Sequence, residues 1–217
     1  MVGLVAESLA YSMLLSGPEF AAWRRQRPTP RDRSDVTGPA VVLKREDKVL
    51  TVELDRPQRH NAFGREIRDG LIEALDLASS DDAIDRIVIR GRGRSFCSGG
   101  DLDEFGTARD VASAHLVRID RSVGARIDRL RDRTTVEVHG ACIGAGVELP
   151  SFASRVVARD DAYFRLPELS MGLVPGAGGT VSITRRIGRA HTAYLALSGT
   201  TIDAVTALRW GLVDEVL

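Results

Sequence analysis

The chain has 217 residues, enough for one sizeable core or for a core with an appendage. Lys plus Arg equals Asp plus Glu at 30 each, so no global field draws it to nucleic acid or to an anionic membrane, and the expected partner is a small molecule. The two cysteines, Cys97 and Cys142, suit a reduced setting better than a disulfide framework; the apolar stretch from Leu4 to Leu15 carries Glu7, lacks a basic leader and is too short to span a bilayer, so a cytoplasmic protein is expected.

Leu4, Leu9, Met13 and Leu14 recur in rough helical spacing, a Gly17-Pro18 break follows, and Phe20 and Trp23 precede Arg24-Arg25. This predicts two short amphipathic helices with apolar surface to hide. The polar, proline-bearing run 27–35 reads as a linker, so residues 1–38 form an N-terminal helical extension with its linker and residues 39–217 a core domain. Val41 to Arg45 and Val49 to Leu54 alternate around Glu46-Asp47-Lys48 as a β-hairpin, and a loop runs from Asp55 to Asn61. Phe63, Ile67, Leu71, Leu75 and Ala78 then mark a helix, and Arg86 to Arg90 a buried strand.

That strand leads into Ser95-Phe-Cys-Ser-Gly-Gly-Asp101, the first of two glycine turns. A long helix with a solvated Arg-rich face is predicted over 111–130, then a strand over 135–138 that feeds the second turn, Gly140-Ala-Cys-Ile-Gly-Ala-Gly-Val-Glu148. Each turn is expected to open a helix. After Glu148 come a helix, a strand over 155–158, a loop around Glu168, a Gly178-Gly179 turn, a helix from about Thr180 and a last helix over 203–210. Strands alternating with helices predict an α/β fold with mainly parallel pairing.

Glycine admits positive φ and lets another group approach bare backbone N–H donors, so two such turns can form a trap for an anion or oxyanion. Neither turn fits GxGxxG or GxxxxGK[ST], which argues against nucleotide phosphates. No His, Cys or Asp cluster has metal-ligand spacing, so no metal is expected. Cys97 and His139 flank turns whose backbone carries the interest, and a thiol nucleophile is not favoured. Alone, Glu148 and Glu168 would read as a helix-start carboxylate and a loop carboxylate.

Together, Arg56-Pro-Gln-Arg-His-Asn-Ala62, Phe96-Cys-Ser-Gly-Gly-Asp-Leu102, His139-Gly-Ala-Cys-Ile-Gly-Ala-Gly-Val-Glu-Leu149 and Leu166-Pro-Glu-Leu-Ser-Met-Gly-Leu-Val-Pro-Gly-Ala-Gly-Gly-Thr180 resemble the enoyl-CoA hydratase/isomerase (crotonase) family from about Val41 onward. The resemblance implies a spiral of ββα units, a trimer or dimer of trimers, and an acyl-CoA thioester as substrate, with coenzyme A entering only as part of that substrate. It implies an oxyanion hole from the amides of Gly100 and Ala145, catalytic roles for Glu148 and Glu168, and coenzyme A contacts from Arg56, Arg59, His60 and the backbone near Ser98. Two retained glutamates point to hydration of a 2-enoyl-CoA; a Δ3-Δ2-enoyl-CoA isomerase and a non-catalytic acyl-CoA-binding subunit are the alternatives. Three departures from the family pattern are the N-terminal extension, Pro150 two residues after Glu148, and an end at Leu217 where a helical C-terminal region is typical. The extension is expected to pack where that region would lie, or on a neighbouring subunit.

Overall fold

The computed structural model describes residues 1–27 and 37–217. The predicted linker therefore falls, beyond Arg27, outside the described residues. In chain order the elements are α1 (Val2–Leu15), α2 (Pro18–Arg25), the strands β1 (Val41–Glu46) and β2 (Val49–Leu54), α3 (Arg65–Ser80), β3 (Arg86–Gly91), α4 (Val111–Asp120) and α5 (Val123–Arg129). They continue as β4 (Thr134–Val138), β5 (Ala141–Ile143), α6 (Ala145–Glu148), β6 (Arg155–Ala158), β7 (Tyr163–Arg165), α7 (Gly179–Ser198), β8 (Ile202–Asp203), α8 (Ala204–Trp210) and β9 (Glu215–Val216).

One sheet runs β1-β2-β3-β4-β6-β9, with the hairpin β1/β2 antiparallel and every other pair parallel. A smaller sheet runs β5-β7-β8. The chain repeats one path: a strand of the large sheet, a short strand of the small sheet, then a helical turn, as in β4-β5-α6 and β6-β7 followed by the short 3-10 turn Glu168–Met171. The first passage follows the same path, since Ser95 and Cys97 bridge Gly140 and Cys142 beside the small sheet. Both glycine turns thus leave the same edge, side by side, and Ile143 donates its N–H to the Cys97 carbonyl at 3.0 Å.

Alternating burial in β2 and the buried stripe Ile67, Leu71, Ala74, Leu75 and Ala78 of α3 build the core as the periodicity predicts. Four expectations are corrected. The predicted helix 111–130 is two helices, because Ser122 accepts the Ala125 N–H and starts a new one. Its arginines are not merely solvated: Arg121 bonds Asp69, Arg126 bonds Asp76, and both pin the pair to α3. The first glycine turn opens no helix, since α4 starts only at Val111 behind the cap Asp110. The second opens just four helical residues; Pro150 has no N–H to continue the ladder and starts a short 3-10 turn, Pro150–Phe152, instead.

A further correction concerns α1, which exposes Leu9 and Met13 and buries Glu7, Ser8 and Ser12. Its inward stripe is Leu4, Glu7, Ser8, Tyr11, Ser12 and Leu15, a period of three and four that mixes polar and apolar residues. Arg118 of α4 satisfies this polar face, donating to Ser8 Oγ and Ser12 Oγ and lying 4.9 Å over the Tyr11 ring centroid. The second helix, α2, adds Phe20, which joins Met171 and Leu173 in a small apolar cluster apart from the main core. Among the described residues no helix is long and apolar enough to cross a membrane.

Candidate active site

A cavity of about 590 Å³ opens between the glycine turns, α4 and the inward face of α1. Gly100, Ala145, Glu148 and Glu168 all line it, so four residues far apart in sequence share one space. The wall is largely apolar, from Leu15, Phe20, Phe63, Phe105 and Leu149 among others. The N–H groups of Gly100 and Ala145 donate to no acceptor among the described residues, Ala145 because it opens α6.

Glu148 is 2% exposed and is held from one side. Its Oε2 accepts the N–H of Ala177 at 2.7 Å and of Gly179 at 2.8 Å, and its carbonyl accepts from Ser182 Oγ. Burial pushes its carboxyl well above the ordinary carboxylate range, aided by the charges of Glu168 and Glu7 and opposed by the two amides. Glu168 is held differently. Its Oε2 is buried without a hydrogen-bond partner among the described residues, and burial pushes its carboxyl up to about 7, against the pull of its own backbone and Arg165.

Glycines make room for both acids. A Cβ at Gly144, where φ is +50°, would lie 2.5 Å from Glu168 Oε1, and one at Gly179 would lie 2.6 Å from Glu148 Cγ. Two buried carboxyls and two unused amides in an apolar cavity can hold a developing oxyanion and move protons beside it. Cys97 and Cys142 are free and fully buried, and desolvation raises the Cys97 thiol to about 12, so neither is a ready nucleophile.

Arg56, Arg59, His60 and Ser98 do not line this cavity. All five Arg56 donors are used within the chain, on Glu66 and on the carbonyls of Gly38, Pro39 and Asp55. Arg59 pairs with Asp101 and Asp103, and His60 Nδ1 meets Ser95 Oγ at 3.1 Å. The Ser98 N–H donates to the His60 carbonyl, which ties the loop to the first glycine turn. Asn61 locks it further, accepting from Arg56 N and donating to the carbonyls of Arg92 and Ser95.

Residues 44–217 match the family described as enoyl-CoA hydratase/isomerase. The chain belongs to the enoyl-CoA hydratase/isomerase family. It is similar to the 2,3-dehydroadipyl-CoA hydratase of Escherichia coli (strain K12), 35% identical over 81% of this chain and 68% of that one. It is also similar to a probable enoyl-CoA hydratase of Mycobacterium tuberculosis, 32% identical over 84% and 70% of the two chains. A third relative is the 1,2-epoxyphenylacetyl-CoA isomerase of Escherichia coli (strain K12), 34% identical over 79% and 67%. The crystal structure of an enoyl-CoA hydratase from Thermoplasma volcanium superposes with a TM-score of 0.76 at 33% identity, over 83% of this chain and 72% of that one. The crotonase-type fold is therefore shared.

Both N-terminal helices precede the matched segment, yet Leu4, Glu7, Ser8 and Tyr11 line the cavity. Sequence reading missed Glu7 as a site residue. The available signal was a lone acid within an apolar stretch, on the stripe 4-7-8-11-12-15.

Proposed function

We propose that this family member is a hydratase adding water across the Cα=Cβ bond of a 2-enoyl-CoA thioester. The observation that carries the reading is the pair of buried carboxyls, Glu148 and Glu168, on the cavity that also receives the unused amides of Gly100 and Ala145. As the β-carbon gains oxygen, negative charge moves to the thioester oxygen. Two fixed amides bind that enolate better than the starting carbonyl, and each such donor is worth about 10²–10³ in rate. Glu148, whose Oε2 is held by two amides that favour its ionised form against the push of burial, keeps Oε1 to orient and deprotonate the water. Glu168, whose carboxyl holds its proton up to about pH 7, delivers a proton to the α-carbon. An isomerase would move a proton with one carboxylate; that two acids share this cavity favours hydration. The coenzyme A moiety is assigned to the side of the loop Arg56–Asn61 and Ser98, where Arg56 holds the loop shape, Arg59 and His60 form its outer edge, and Ser98 links it to the oxyanion turn. A trimer belongs to the same proposal.

The test is turnover of crotonyl-CoA, followed as loss of its conjugated enoyl absorbance. Glu148→Gln and Glu168→Gln should each lower kcat by about 10²–10⁴ with KM little changed. Turnover of a 3-enoyl-CoA alone would assign an isomerase, and thioester binding without turnover would assign a binding subunit.

A further inference from the structure

Four consecutive amides at the start of α7 are divided between two carboxylates. Ala177 and Gly179 donate to Glu148 Oε2, whereas Gly178 donates to Glu7 Oε1 at 2.7 Å and Thr180 to Glu7 Oε2 at 2.9 Å. Thr180 Oγ1 also donates to Glu7 Oε2, at 2.5 Å. The turn presents these amides alternately to two sides, with Gly178 at φ +105°. One side faces α6, and the other faces α1.

The glycines of the turn match this division. A Cβ at Gly176 would lie 2.4 Å from the Tyr11 ring, and one at Gly178 would lie 2.5 Å from the Phe152 ring and 3.2 Å from Leu4. Helix α1 thus lies directly on the turn from the face opposite Glu148, and both oxygens of Glu7 accept hydrogen bonds there. Glu148, by contrast, has both its donors on Oε2.

We propose that Glu7 is a positioning residue of the active site: by holding the Gly178 and Thr180 amides it fixes the turn whose other two amides aim Glu148 into the cavity. Glu7 lies outside the segment that matches the family, so this brace is supplied by the chain's own N-terminal helix. The proposal rests on the hydratase reading only for its kinetic arm.

The charged and titratable groups around Glu7 set a second signature. Arg118 of α4 faces it, Tyr11 lies one helical turn along α1, and Glu148 and Glu168 share its cavity. His115 of α4 meets the neighbouring Ser8 through Nδ1. The charge of Glu7 raises the carboxyls of Glu148 and Glu168, so making residue 7 neutral lowers both. In a mechanism needing Glu148 ionised and Glu168 protonated, both limbs of the rate profile then move to lower pH.

The experiment compares full-length wild type with Glu7→Gln, with Thr180→Val, which deletes one donor to Glu7 without touching Glu148, and with Leu9→Ala as a control on the exposed face of α1. Crotonyl-CoA kinetics across pH are paired with ¹³C titration of side-chain-labelled glutamates, assigned by Glu148→Gln. Glu7→Gln should lower kcat about 10²-fold at nearly constant KM, move both pH limbs down, and lower the Glu148 titration. Thr180→Val should lower kcat by a smaller factor, and it carries the kinetic arm alone should Glu7→Gln not fold. Leu9→Ala should match wild type. A folded Glu7→Gln enzyme with wild-type kcat at its pH optimum, or a Thr180→Val enzyme with wild-type kcat when Glu7→Gln does not fold, overturns the proposal. No turnover by wild type, with the Glu148 titration moved in Thr180→Val, where residue 7 keeps its carboxyl, overturns the hydratase reading and leaves the brace standing.

Discussion

Glu168 Oε2 is a buried oxygen that no donor in the described residues reaches, in a molecule where Glu148 and Glu7 each hold two or more N–H or O–H donors. An orphaned carboxyl oxygen favours the neutral acid, and that preference links stability to pH. The folded-state value of about 7 lies above the ordinary 4.5. The protonated group therefore supports the fold fully below about 4.5, and that support is lost as pH rises through 7. Glu168→Gln removes this titration. Its stability relative to wild type, by urea unfolding, should rise between pH 5 and pH 9 by up to about 3 kcal/mol. Parallel stability curves for the two proteins across that range would show that Glu168 titrates near its ordinary value.

At the scale of elements, glycine turns and long periodic helices were legible in the sequence because each leaves a local mark. The α3 stripe and the hairpin β1/β2 are of that kind, and so is the last helix, expected over 203–210 and observed over Ala204–Trp210 behind Asp203, whose side chain accepts the Thr206 N–H. The strands β5, β7 and β8, of three, three and two residues, are too short to show a period and form only through partners distant in the chain. The break at Ser122 and the four-residue length of α6 are cap and proline effects that a smooth apolar pattern hides. Within the site, Glu148 and Glu168 could be named through their glycine neighbours, but the role of those glycines as space for the carboxyls could not. Gly144→Ala tests that role. Its Cβ would meet Glu168 Oε1 at 2.5 Å, and an L side chain at φ +50° and ψ −115° is strained, so a loss of about 1–3 kcal/mol is expected. Turnover should fall at least as far as in Glu168→Gln, since the second glycine turn and the acid are displaced together. Wild-type kcat in a folded Gly144→Ala protein would separate that turn from the chemistry.

Across the whole molecule, the two N-terminal helices form a roof that is joined to the core by polar contacts and Leu4 on α1 and by an apolar cluster around Phe20 on α2. Phe20 anchors the second, stacked on Trp23 at 5.6 Å between centroids, with Trp23 6.4 Å from Phe105, and packed with Met171 and Leu173. Because that cluster is separate from the main core, the roof should share the core's cooperativity only while the anchor holds. The chain has two tryptophans, one in each region: Trp23 on the roof and Trp210 on α8, stacked on His191 at 4.3 Å. Each can report alone when the other is replaced by Phe. In the parent protein both reporters should unfold in one urea transition. Phe20→Ala removes a buried ring at a cost of about 3–5 kcal/mol, and the Trp23 signal should then move to lower urea while the Trp210 transition stays within experimental error. If the two transitions remain coincident and shift together, the roof is part of a single cooperative unit, and the N-terminal helices fold with the core rather than onto it.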